Sequence, residues 1–101
     1  MILVSGEYLD NIFDFIRKNK GKIVAYRSIE NLSQIADITD SVDRIDILNT
    51  GFNSYLVVVR AKMKTIAKLF GSGFKIGIIV NDKKETYKKL LDYMLFIVSE
   101  I

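Results

Sequence analysis

The chain has 101 residues, half of them hydrophobic and 27% charged, with a formal net charge of +3, which is the composition of one globular domain, residues 1–101, rather than of a disordered segment. It contains no cysteine and no histidine, which excludes a disulfide, a thiolate nucleophile, a Ser-His or Cys-His arrangement within one chain and any zinc site built from those ligands. No apolar run approaches the roughly 20 residues of a membrane-spanning helix, and the opening MILVS lacks the basic leader of a secretion signal, so the expectation is a cytoplasmic protein with no membrane partner.

Charge is unevenly placed. Residues 1–54 hold six basic and eight acidic side chains, whereas residues 55–101 hold nine basic and four acidic. The C-terminal half therefore presents the basic surface, and a basic surface attracts phosphate polyanions. Richness in Ile and Lys, with no Pro, Cys or Trp, fits a thermophilic or AT-rich source.

In chain order, residues 2–5 read as a short strand, with Ser5 placed to cap a helix whose apolar stripe is Tyr8, Leu9, Ile12, Phe13 and Ile16. Gly21 ends that helix and residues 22–27 form a second strand, which makes a first βαβ unit. Ser28 then caps a helix ending near Asp40, and a strand over residues 44–48 turns through NTGFN, residues 49–53, into an antiparallel partner.

Residues 54–80 organise the rest. Residues 55–59 and 74–80 are short runs rich in β-branched residues that read as buried parallel strands. Between them Met63, Ile66, Ala67 and Phe70 fall at helical spacing, with Gly71 as the helix stop. After Asp82 and Glu85, a capping-box-like pair, apolar residues recur at helical spacing to Ile101 and predict a terminal helix. Its apolar face is wide, so Leu91, Leu95, Phe96 and Val98 are candidates for a homodimer contact. The predicted order is β-α-β-α-β-β-α-β-α. This is an α/β sandwich with helices packed on a mixed sheet, in the manner of split βαβ, ferredoxin-like folds.

Three patterns invite chemistry. GSGFKIG, residues 71–77, leaves a helix and opens a strand, the reverse of a phosphate-binding glycine loop, so Gly71 and Gly73 are turn residues and Gly77 marks a bulge or a close approach. Asp37, Asp40, Asp43 and Asp46 recur every three residues, but steps of three drift about 60° each around an α-helix, so the four cannot share one face and no metal site is expected. Arg60, Lys62, Lys64, Lys68 and Lys75, with Gly77, form a candidate binding rim. Lys83, Lys84, Lys88 and Lys89 line the start of the last helix, and Tyr26, Phe52 and Tyr55 offer stacking surfaces for single-stranded nucleic acid.

Residues 56–79, LVVVRAKMKTIAKLFGSGFKIGII, resemble a segment of the tRNA wybutosine-synthesising methyltransferase family: a strand ending at Val59-Arg60-Ala61, a helix, Gly73-Phe74-Lys75, and a strand at Gly77-Ile78-Ile79. Gly21-Lys22-Ile23-Val24 is similar to that family's Gly-Arg-Ile strand. The family's Ser-Ser-Cys element is replaced by Lys18-Asn19-Lys20, and Ile76 stands where a Ser is expected. The resemblance implies a tRNA-related ancestry and an S-adenosylmethionine-binding fold without methyl transfer. The residues themselves assemble no catalytic set and call for no cofactor. The expected function is a non-catalytic binding domain acting on RNA or a protein partner, with an inactive methyltransferase relative and a small-molecule regulatory domain as the alternatives.

Overall fold

The computed structural model describes all 101 residues, Met1–Ile101. In chain order the elements are β1 (Ile2–Gly6), α1 (Leu9–Lys18), β2 (Lys22–Ile29), a 3₁₀ helix (Leu32–Ser41), β3 (Arg44–Gly51), β4 (Ser54–Arg60), α2 (Met63–Gly71), β5 (Lys75–Val80), α3 (Lys84–Asp92) and β6 (Leu95–Glu100). The fold is mixed α/β with six strands, ordered β3-β4-β2 and β5-β1-β6. The chain divides into two units, Met1–Ile23 with Gly77–Ile101, and Val24–Ile76.

In the first unit β1 pairs antiparallel with β5, Ile2 opposite Val80 and Val4 opposite Ile78, and antiparallel with β6, Gly6 opposite Leu95. Ile2, Leu3 and Val4 are wholly buried, so β1 is covered on both faces. Burial of each such side chain contributes roughly 1.5–3 kcal/mol. The first helix begins later than the Ser5 cap predicts, because Ser5 belongs to β1 and is buried there. The start at Leu9 moves the buried face of α1 to Ile12 and Phe15, leaving Tyr8 exposed. The helix ends at Asn19, whose backbone N–H and side-chain Nδ2 both donate to the Phe15 carbonyl, at 2.9 and 3.1 Å. Gly21 is therefore not the stop. A Cβ there would stand 2.6 Å from Ile78 Cγ2 and 2.9 Å from Val80 Cγ1, so it is close packing that requires glycine.

The predicted terminal helix is corrected at its second half. α3 stops at Asp92, Met94 takes φ 54°, and residues 95–100 turn into β6. The run Leu-Phe-Ile-Val combines aromatic and β-branched side chains that fit a pleated strand better than a helix. The apolar face that looked too wide for one helix belongs to two elements. Leu91 lies in the last turn of α3 while Leu95, Phe96 and Val98 lie in β6, so no dimer helix carries all four. Asp82, expected to cap α3, lies outside it: the N-cap position is Lys83, without a side-chain cap, and Asp82 Oδ1 lies 3.9 Å from the N-terminal amine.

In the second unit the expected hairpin forms. β3 and β4 pair antiparallel from Arg44 opposite Arg60 to Gly51 opposite Ser54, and β2 pairs antiparallel with β4, Ala25 opposite Val59. Residues 55–59 and 74–80, read as buried parallel strands, form β4 and β5, and the pairings they make are antiparallel: β4 with β3 and β2, and β5 with β1. An apolar run such as 56–59 registers burial on both faces and is silent about strand direction. Gly71 is the last residue of α2, and Gly73, at φ 100°, is the left-handed residue beyond it. The Phe74 N–H donates to the Leu69 carbonyl at 3.0 Å and the Gly73 N–H to the Phe70 carbonyl at 3.3 Å, a Schellman closure with buried Phe74 and Leu69 as its apolar pair.

The segment after β2 is a 3₁₀ helix of 10 residues, and Ser28, its expected cap, lies in β2. Asn31 caps it instead: its Oδ1 accepts from the Ser33 N–H at 3.0 Å, and Gln34 Oε1 accepts from the Asn31 N–H at 3.1 Å. Runs of more than 3–4 such residues are uncommon. Here the sequence has the matching period, since Leu32, Ile35 and Ile38 recur at the three residues per turn that eclipse side chains in a 3₁₀ helix, and Ile35 is buried. Asp37 and Asp40 consequently do lie on one side, whereas Asp46 goes to β3.

Candidate anion-binding site

The residues of the predicted rim take different environments. Lys64 and Lys68 are exposed one turn apart on α2, Lys62 is exposed at its N-cap position, and Lys75 is exposed at the start of β5. Gly77 is buried within β5 and offers no surface. Arg60 ends β4 with its side chain only 16% exposed and turned to Asp46, Nη2 lying 3.8 Å from Oδ2. Asp46 Oδ1 in turn accepts from Arg44 Nε at 3.1 Å, and Arg44 Nη2 lies at ion-pair distance from the same oxygen, 3.0 Å. Arg60 is thus an ion-pair neighbour of Asp46 across the hairpin, with no hydrogen bond from its buried Nε and Nη2. Of the three aromatic residues proposed for stacking, Tyr26 is buried, Tyr55 is half-buried and Phe52 is fully exposed.

A cavity of about 160 Å³ lies in the first unit, where the end of α1 meets the start of α3. Phe15, buried on α1, lines it and meets Tyr93 edge to face, the ring centroids 5.3 Å apart. Asn19 and Lys20 contribute from the end of α1, Asn81 from the turn after β5, and Lys83, Glu85, Thr86 and Lys89 from around the first turns of α3. Three lysines against one glutamate give the lining residues a net positive charge. Asn81 and Thr86 add neutral groups able to hydrogen-bond an oxyanion. The first turn of α3 has no side-chain cap, so its end adds partial positive charge to the same wall.

Volume limits what this site can take. Sites for drug-sized ligands run to roughly 300–1,000 Å³, which the cavity does not reach, while water occupies about 30 Å³ per molecule. The space suits one phosphate-sized group with the remainder of its carrier outside. Sequence reasoning placed Lys83 and Lys89 near a helix start but missed Lys20, Asn19 and Phe15. Their convergence depends on α1 and α3 meeting, which no local spacing encodes. Compared with known protein families, curated proteins and solved structures, the chain gives no match.

Proposed function

We propose that the chain is a small non-catalytic binding domain on a ferredoxin-like α/β scaffold, and that it holds a phosphate group of RNA in the cavity beside α1 and α3. The observation that supports this most is the wall: Lys20, Lys83 and Lys89 with a single carboxylate, Glu85, around a phosphate-sized space. RNA is favoured over a free anion because Lys84 and Lys88, both exposed, continue the positive charge along α3, as contact with successive phosphates requires. Nucleic-acid binding of this kind weakens with salt, because each neutralised phosphate releases counterions.

Fluorescence anisotropy with a labelled single-stranded RNA and with tRNA tests the reading. Salt-sensitive binding that inorganic phosphate competes away supports it, and no binding at low salt ends it. Saturable S-adenosylmethionine binding in calorimetry, without RNA affinity, would favour the methyltransferase relationship instead.

A further inference from the structure

We infer that β6 is a contact between two copies of this chain, joined edge to edge and antiparallel about a two-fold axis. This inference is independent of the RNA reading. β6 closes the strand order and pairs only with β1. An edge of that kind presents unpaired backbone N–H and C=O groups, a template for another strand unless charges, prolines or bulges guard it. By contrast β3, which pairs only with β4, carries Arg44 and Asp46. β6 carries no such charge along its length and no proline, for residues 93–99 include no charged side chain and only Glu100 closes the strand.

Its side chains are also left in water. Phe96 and Ile97 are 49% and 43% exposed, and adjacent strand residues point to opposite faces, so both faces of the edge are apolar. Leu91 and Met94, just before the strand, are 80% and 64% exposed. One irregularity exists: the pairing with β1 shifts between Leu3, opposite Ser99, and Val4, opposite Ile97, which leaves Val98 as the extra residue. That bulge lies toward the Glu100 end and leaves residues 95–97 in regular pairing with β1.

The charge pattern selects the occupant and its direction. A second β6 laid parallel would set the two Glu100 carboxylates side by side, and like charges directly opposite are destabilising. Laid antiparallel, the same strand puts them at opposite ends and apolar residues together at the centre. The contact is then self-complementary and closes at two copies.

Light scattering and sedimentation across a concentration series of the full chain test this, beside Phe96→Lys and Ile97→Lys, with circular dichroism to check folding. The expected result is a two-chain mass for the parent and an apparent dissociation constant raised at least about tenfold in each folded variant. Should Ile97→Lys fail to fold, Phe96→Lys and amide hydrogen exchange of the parent decide: the β6 amides become more protected as concentration rises. A one-chain mass at every concentration overturns the inference. So does a two-chain mass that neither lysine disturbs, which would place the contact elsewhere.

Discussion

Phe15 and Tyr93 meet edge to face, with ring planes at 85°, and so tie α1 to the residue that closes α3. Phe15 is also a wall of the basic cavity, so one aromatic pair both holds the two helices and shapes the space between them. Phe15→Ala is expected to destabilise by about 3–5 kcal/mol, the range for a buried aromatic truncated to Ala. Tyr93→Leu, which keeps bulk and removes the ring pairing, is expected to lose about 0.5–1.5 kcal/mol. Urea denaturation of both variants measures the difference; no loss in Tyr93→Leu would mean that the pairing adds nothing beyond bulk.

Phe52 shows the opposite balance. It sits at the tip of the β3–β4 hairpin with φ 51°, followed by Asn53 at 59°, and its ring is fully exposed. A non-glycine residue in this region costs on the order of 1–3 kcal/mol, less for Asn. The turn holds its shape through other residues: Asn49 Oδ1 accepts from the Gly51 N–H at 2.9 Å, and Ser54 Oγ donates to the Gly51 carbonyl at 3.0 Å. Phe52→Asn should therefore raise the urea midpoint without changing the slope, a gain of about 1 kcal/mol. A fall in midpoint would show that the ring contributes to stability.

Two glycines predict opposite signs. Gly21→Ala brings a methyl group within 3 Å of Ile78 and Val80 and is expected to destabilise by about 1–3 kcal/mol. Gly71→Ala meets nothing within 4 Å at the last position of α2, and should stabilise by about 0.4–1 kcal/mol through the unfolded state. Melting temperatures that move the same way in both variants would contradict this packing.

These positions also mark what could be read from sequence. Residues 22–27, 44–48 and 55–59 announced their strands because apolar, β-branched runs of that length have few other uses, and the 49–53 turn correctly joined two antiparallel strands. Strand direction was hidden at residues 56–59, where burial on both faces erases alternation. The 3₁₀ helix was visible as a period of three in both the apolar and the Asp residues, but it was set against an α-helical period. β6 was missed because residues 94–98 satisfy helical spacing by coincidence in an almost wholly apolar run. Of the cavity, Lys83, Glu85 and Lys89 were legible near a helix start, whereas Phe15, Asn19 and Lys20 are brought in by α1 packing beside α3.

The Arg60 guanidinium depends on its one carboxylate neighbour. Asp46→Ala removes that neighbour from a side chain with little access to water, and is expected to cost about 1–3 kcal/mol. Arg44→Ala removes a largely exposed partner of the same carboxylate and should cost under about 1 kcal/mol. Denaturation midpoints give the order directly, and an equal or larger loss at Arg44 would contradict it.

The central claim is that Lys20, Lys83 and Lys89 hold a phosphate of RNA. Its most direct measurement is the salt dependence of single-stranded RNA affinity, for the parent chain and for Lys20→Gln, Lys83→Gln and Lys89→Gln singly and together. Each lysine in contact with a phosphate contributes about 0.7 to the slope of log affinity against log salt. Binding is expected to weaken, and its salt slope to become shallower, with each substitution, leaving almost no binding in the triple variant. RNA binding with the parent's affinity and slope in a folded triple variant would contradict it.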